Sequence, residues 1–323
     1  HTFGFCNVIF GWDMHDALYR TTSPDPGFAD ARATVDLTTA RNIPWEDNLP
    51  FLLADFRRAD DWTARVCPRS LLARVVAKAE DRGFQARFGP EYEWFCYRRT
   101  PENADHSPTP VTSGMFGYSA LRTGQLADFH TDVFAQLANF NVEIEGLHTE
   151  TGPGALEAAI RHQPALEAAD RAVLFKQGIK QIAHHHGLCA SFMAKPSDQL
   201  PGCGGHLHQS LWTKGRNVFY DVEDEQQLSK TLRQYLAGQL YWLPKLLPLY
   251  APTVNSYKRF VAGSWAATHA NWGVDNRTTA LRFIPGGMAG TRLELRVPGA
   301  DANPYLVMAA ALASGLYGIE HEL

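Results

Sequence analysis

Arg292-Leu293-Glu294-Leu295-Arg296 alternates charge with leucine, and this alternation decides how the rest of the chain is read. On a strand, successive side chains point to opposite faces, so the leucines would enter a core while Arg292, Glu294 and Arg296 share the other face. Glu91-Tyr92-Glu93 and His206-Leu207-His208 have the same two-residue spacing. A further segment, running from Glu150 through Gly152-Pro153-Gly154 to Glu157, joins two acids by a turn that could fold both back onto one ion. Five carboxylates would then converge with imidazoles and guanidiniums on one cavity. Oxygen ligands favour magnesium or manganese, and arginine forks grip phosphate oxygens bidentately, so the set reads as a metal-dependent, phosphate-handling site. The glycines of Gly202-Cys203-Gly204-Gly205, just ahead of the histidines, allow the backbone to approach a ligand closely.

The bulk properties narrow the function classes. A chain of 323 residues accommodates one large domain and a smaller one. A net charge of -4 without a basic block argues against nucleic acid as a partner. Apolar stretches are interrupted well short of a membrane span and no signal-like leader opens the sequence, so no membrane partner is expected. The cysteines, Cys6, Cys67, Cys96, Cys189 and Cys203, are widely spaced and contain no C-x-x-C pair, which fits reduced thiols and a cytoplasmic location.

Along the chain, residues 1–67 read as strands and turns, with strands over Phe5–Phe10, Ala33–Leu37 and Pro50–Asp55, and Cys67-Pro68-Arg69 marks a boundary before a second domain over 68–323. A helix capped by Ser70 and stopped by Gly83 follows, then a strand through Glu91–Phe95 and a loop from Arg98 to Gly117. Helices are expected over Gln125–Asn139, Pro164–His186, Glu223–Leu243 and Pro304–Ile319, with a strand over Val142–Glu145. The class is α+β. His184-His185-His186 lies at a helix end, where cationic histidine is favoured by the dipole, and is assigned no catalytic role.

In their order these segments resemble the glutamine synthetase family, which has the same succession of acid-x-acid, a glutamate pair around Gly-Pro-Gly, and a glycine-rich H-x-H. The succession continues here as Asn255-Ser256-Tyr257-Lys258-Arg259, Asn276-Arg277, Arg292-x-Glu294-x-Arg296 and Asn303-Pro304-Tyr305. The resemblance runs through the whole chain. It implies a glutamine synthetase-like fold: an N-terminal β-grasp domain, here lacking its opening, and a catalytic domain whose curved, mainly antiparallel sheet is backed by helices. Family members are longer at both ends, so terminal helices are also expected to be missing.

The resemblance further implies an ATP-dependent ligase that joins the γ-carboxylate of glutamate to an amine through a γ-glutamyl phosphate. Two or more Mg2+ or Mn2+ ions are implied, with Glu93, Glu150 and Glu157 around one and Glu91, His206 and Glu294 around another. Glu145, His208, Ser210, Arg282 and Arg292 would face ATP, and Gly202 and Arg259 the glutamate. Arg277 and Arg296, with Arg259, would hold the transferred phosphate and the acyl group. A homo-oligomeric double ring, dodecameric or decameric, is implied as well.

Departures from the family pattern bear on the substrate. Ammonia-using members bind ammonium with an Asp in the first loop and a Glu in a flap, where this chain has Phe5 and Trp265. Aromatic rings in place of two carboxylates offer apolar area instead of attraction for a small hydrated cation, so a small organic amine, aryl or alkyl, is expected. Rings also bind cations, and Asp13 or Asp16 is an alternative source of a carboxylate. Pro201 stands where an Asn facing the glutamate is usual, and Ala155 where Gln is usual. Ordinary glutamine synthesis and a catalytically silent homologue are the alternatives.

Overall fold

The structure is a computed structural model and describes residues 2–13, 17–19, 27–56, 63–99 and 108–323. The chain divides into two compact units, His1–Arg74 and Val75–Leu323.

In the first unit, strands β1 (Thr2–Cys6), β2 (Asp30–Ile43) and β3 (Leu49–Asp55) form an antiparallel sheet in that order. The strand expected over Phe5–Phe10 is corrected: it ends at Cys6, and Asn7–Phe10 form a 3-10 turn closed by Gly11 N–H on the Val8 carbonyl at 2.8 Å. Helix α1 (Pro68–Glu80) begins at its proline, whose missing N–H costs nothing in a first turn. Ser70 therefore sits inside the helix and donates to the Phe56 carbonyl at 2.9 Å, instead of capping. Arg69 anchors this turn to the sheet, with one nitrogen 2.7 Å from the buried Asp55 and another 2.9 Å from Asp36.

The second unit is built on one large sheet. Its main strands are β4 (Gln85–Arg98), β5 (Ile144–Thr149), β6 (Ala155–Ile160), β7 (Gly205–Thr213), β8 (Trp272–Val274), β9 (Leu281–Ile284) and β10 (Arg292–Leu295). They lie in the order β8-β9-β10-β7-β4-β6-β5, and every neighbouring pair is antiparallel except β8 with β9. Strand β4 sends Phe88, Tyr92 and Trp94 to one face, where they are buried. Trp94 and Tyr92 meet Phe175 with ring centroids 5.8 and 6.1 Å apart. Phe175 belongs to the apolar stripe Ala168, Ala172, Phe175, Ile179 and Ile182 of a helix over Ala165–His185, a stripe with the spacing of one helical face.

The longer helices that follow α1 among the described residues are α2 (Ala120–Gln125), α3 (Ala127–Asn139), α4 (Ala165–His185), α5 (Lys230–Tyr250) and α6 (Pro304–Glu320). The helix expected over Gln125–Asn139 runs over Ala127–Asn139, and a short helix, Ala120–Gln125, precedes it across a break at Leu126 and is capped by Ser119, which accepts Arg122 N–H. The strand expected from Val142 starts at Ile144, because Asn141 takes a positive φ of 59° and Val142 N–H closes the end of α3 on the Leu137 carbonyl. The helix expected over Glu223–Leu243 starts at Lys230. Asp224 instead accepts the N–H groups of Gln226 and Leu228 at 3.0 and 3.1 Å, which shapes a turn, and Ser229 caps the helix. It then continues past Pro244 and Pro248. Helix α6 starts as expected, with Asn303 accepting from Tyr305 and Leu306. No described helix is long and apolar enough to cross a membrane.

Helices α5 and α6 touch through glycine. A Cβ on Gly238 would lie 2.2 Å from the Ser314 carbonyl oxygen and 2.6 Å from Gly318 N. Gly238→Ala should therefore overpack the crossing and destabilise the fold by about 1–3 kcal/mol. Denaturant unfolding measures this, and an unchanged midpoint would contradict the crossing.

Candidate active site

Strand register places charged residues side by side on the sheet face opposite Tyr92 and Trp94. Glu91 stands opposite His206, and Glu93 opposite Glu157, which in turn stands opposite His148. On the other flank His208 is opposite Glu294, and Glu294 is opposite Arg282. Because these partners occur at two-residue intervals on adjoining strands, they share one face.

Two clusters of ligand atoms result, each with all its atoms within 4.8 Å of one another: Glu91, His208 and Glu294, and His148, Glu150 and Glu157. His206 belongs with the first, its Nδ1 lying 3.0 Å from Glu91 and 3.7 Å from Glu294. The tautomers separate the two imidazoles. Arg292 Nε–H donates to His208 Nδ1 at 3.1 Å, so the His208 proton sits on Nε2, facing Glu91 at 3.7 Å. His206 keeps its Nδ1 turned to both carboxylates. Gly204 makes room for this ring, since a Cβ there would lie 2.4 Å from His206 Nε2. In the second cluster His148 reaches Glu157 at 3.2 Å and Glu150 at 3.8 Å. Glu150 accepts from the Thr151 N–H and hydroxyl. Glu93 accepts the Gly204 N–H at 2.6 Å.

The electrostatics show crowded negative charge. Burial would raise the Glu91 carboxyl, but hydrogen bonds and charge from His206 and His208 outweigh it and hold it well below the usual range. Burial also acts on Glu294, where His206, His208 and Arg296 prevail and lower it. Glu157 behaves oppositely: burial, with repulsion from Glu91 and Glu93, pushes it up to about 7 against the pull of His148. The bond to Glu157 raises His148 to about 9. Glu294 is 1% exposed and clamped between Arg282 at 3.0 Å and Arg296 at 2.5 Å. Arg296 also donates to the Arg277 carbonyl, while the Arg277 side chain is exposed.

A cavity opens on either side of this charged seam. One, of about 400 Å³, is lined by Glu145, His208, Ser210 and Arg292 together with Glu91 and Trp212. The other, of about 460 Å³, is lined by Glu93, Glu150, His206, Gly202, Arg259 and Arg296, and Trp265 lies on its wall. Arg282 and Arg277 line neither. Arg259 is buried, with one terminal nitrogen donating to the carbonyls of Arg296, Val297 and Pro298 and its Nε without a hydrogen-bond partner among the described residues. Gly202 is required beside it, because a Cβ would meet the Arg259 Cγ at 2.5 Å. Trp265 is 64% exposed and takes a positive φ of 61°.

Phe5 lies in the first unit on β1, exposed, with its ring edge-on to Phe56 at 6.4 Å. Asp13 accepts the Ala17 N–H, and Asp16 lies outside the described residues. His148 was assigned no role from sequence, although its H-x-E spacing to Glu150 carries the same signal as the other pairs. Of the histidine triple, His186 pairs with Asp132 at 2.7 Å, away from the seam residues.

The family profile described as glutamine synthetase, catalytic domain, matches residues 65–323. Type-1 glutamine synthetase 2 of Dictyostelium discoideum is 49% identical over 329 residues, covering 99% of this chain and 63% of that protein. Glutamate–isopropylamine ligase of a Pseudomonas species is 38% identical, covering 98% of this chain and 71% of that protein. The chain thus spans roughly two thirds of the length of these curated relatives. A solved structure described as a GmaS/ADP complex superposes with a TM-score of 0.85 at 32% identity, over 99% of this chain and 72% of that one. With the profile running through the whole charged sheet, the chain belongs to the glutamine synthetase family.

Proposed function

We propose that this chain acts as an ATP-dependent ligase joining the γ-carboxylate of glutamate to a small organic amine through a γ-glutamyl phosphate. The observation that carries this reading is the pair of oxygen-and-imidazole clusters on the seam between two cavities. The donor set fits hard divalent cations such as Mg2+ or Mn2+. Bound cations would also relieve a repulsion: burial, with the neighbouring Glu91 and Glu93, pushes the Glu157 carboxyl up. Glu93, Glu150 and Glu157 would hold one ion, with His148 as their neighbour, and Glu91, His206 and Glu294 the other.

In this reading Glu145, His208, Ser210 and Arg292 orient ATP in the smaller cavity, and Arg282 acts through Glu294. Gly202 and Arg259 seat glutamate in the larger one. The γ-carboxylate oxygen attacks the γ-phosphorus, the bond to ADP breaks, and the acyl phosphate then loses phosphate as the amine nitrogen attacks its carbonyl carbon and gives up a proton to the departing phosphate or solvent. Two anions meet in the first step, and bound divalent ions would supply the charge neutralisation it requires. Arg296, fixed by Glu294 and the Arg277 carbonyl, presents its guanidinium at the cavity wall, and Arg277 would close on the phosphate from the exposed side. The wall formed by Pro201, Val261, Trp265 and Met115 offers apolar surface that favours an apolar amine.

Support for an organic amine comes from Trp265 and from the 38% identical relative named for isopropylamine. The 49% identical relative named as a glutamine synthetase favours the second reading, in which ammonia is the substrate. We further place the protein in the cytoplasm as a double-ring homo-oligomer, dodecameric or decameric, with Phe5 contributed to a neighbour's amine site. Native mass spectrometry tests the assembly.

ADP release with glutamate and a panel of isopropylamine, ethylamine, aniline and ammonia tests the substrate. An organic amine should give the highest kcat/KM; ammonia ahead of all of them would overturn the amine assignment, and no ADP release with any of them would favour a catalytically silent homologue. Trp265→Glu should shift preference toward ammonia by about tenfold, the worth of one charge contact. Gly204→Ala, which forces His206 aside, should weaken Mn2+ binding at least about tenfold in isothermal titration without unfolding the chain. Wild-type Mn2+ affinity in that variant would contradict the placement of His206.

A further inference from the structure

The residues that carry the candidate ligands are supported from behind the sheet by a lysine to which the proposed chemistry gives no part. Lys176, on α4, sends its Nζ to the carbonyls of Ala300 at 2.7 Å and Ala302 at 3.2 Å. The same nitrogen lies 5.3 Å from the ring of Tyr92 and 5.9 Å from that of Phe192, on the face opposite Glu91 and Glu93. An ammonium with this little water around it is held by what it donates to. The charged groups nearest it are Lys180 and Asp301.

The turn that Lys176 grips is in turn bonded to the glycine strap before His206. Ala300 N–H donates to the Cys203 carbonyl at 3.0 Å, and Gly205 N–H donates to the Pro298 carbonyl at 2.9 Å. Gly204 and Gly299 face each other in an antiparallel bridge. Contact is too close for any side chain, since a Cβ on Gly205 would lie 2.8 Å from the Gly299 carbonyl oxygen. Gly204, clamped between these bonds, gives its N–H to Glu93 at 2.6 Å and takes the Glu93 N–H on its carbonyl at 3.0 Å. Arg259 holds the preceding carbonyls, 296 to 298, from the cavity side. Two cations on opposite sides therefore fix one turn.

We infer that Lys176 is a positioning residue for the Glu93 ion site: by pinning the Pro298–Ala302 turn it fixes the Gly204 amide, and the Gly204 amide fixes the Glu93 carboxylate. The inference rests on the proposed assignment of Glu93 as an ion ligand. Groups that orient metal ligands without touching the ion change metal affinity by about ten- to a hundredfold. Lys176→Met keeps the length of the side chain and removes both hydrogen bonds.

Mn2+ titration by calorimetry, with amide hydrogen exchange read at Gly204 and Gly205, distinguishes the outcomes. In folded Lys176→Met one of the two Mn2+ sites should weaken about tenfold or more while the other stays within about twofold, and both glycine amides should exchange faster. Lys176→Arg should recover most of the loss, which a role confined to general stability would not require. Wild-type Mn2+ affinity together with unchanged glycine exchange in folded Lys176→Met overturns the inference. Should that variant not fold, Lys176→Gln, which keeps a polar donor without the charge, carries the same reading. An unsubstituted chain that binds no Mn2+ would instead contradict the ligase reading, and the glycine exchange would still decide whether Lys176 holds the strap.

Discussion

Antiparallel register is the constraint on which this protein depends. Glu91 opposite His206, Glu93 opposite Glu157 and His208 opposite Glu294 bring residues from distant parts of the sequence to one sheet face. A slip of one residue by β7 against its neighbours would turn His206 and His208 toward the other face and bring Leu207 to the charged side. The register is held from behind by Tyr92 and Trp94, alternate residues of β4, which pack against Phe175 of α4 and against Phe192. Core and site are thus two sides of one alternation, and neither can move without the other.

This arrangement concentrates charge that the protein alone only partly neutralises. On the β10 flank Arg282 and Arg296 clamp Glu294, and the imidazoles hold Glu91 ionised. On the β6 flank burial and the acidic neighbours Glu91 and Glu93 outweigh His148 and His206, and the Glu157 carboxyl rises. Cations fit there for an electrostatic reason independent of any family likeness. The larger cavity is lined by apolar residues at Trp265, Val261 and Met115, so one chamber carries a charged surface and an apolar one.

Much of this was legible because strand alternation is a local property. The x-separated pairs Glu91/Glu93, His206/His208 and Arg292/Glu294/Arg296 declared a shared face before any partner strand was known. Helix α6 was legible from Asn303-Pro304, where the cap and the first-turn proline act within a few residues. Other features depended on partners that spacing does not reveal. Whether Asp224 starts a helix or closes a turn depends on which N–H groups it captures, and it captures those of Gln226 and Leu228. The break at Leu126 and the 3-10 turn at Asn7–Phe10 are closed by local bonds, Leu126 N–H to the Thr123 carbonyl and Gly11 N–H to the Val8 carbonyl, which apolar periodicity does not show. His148 was passed over because its partner Glu157 is brought opposite it only by pairing of β5 with β6. Lys176 carried no motif at all, and its role emerges only from the carbonyls it meets.

Anomalous diffraction from crystals grown with Mn2+ and ADP tests the central claim most directly, that register alone assembles two cation sites on one sheet face. Two peaks per chain are expected, one among Glu91, His206 and Glu294 and one among Glu93, Glu150 and Glu157. No peak on this face, or ions bound only by residues elsewhere, would contradict it.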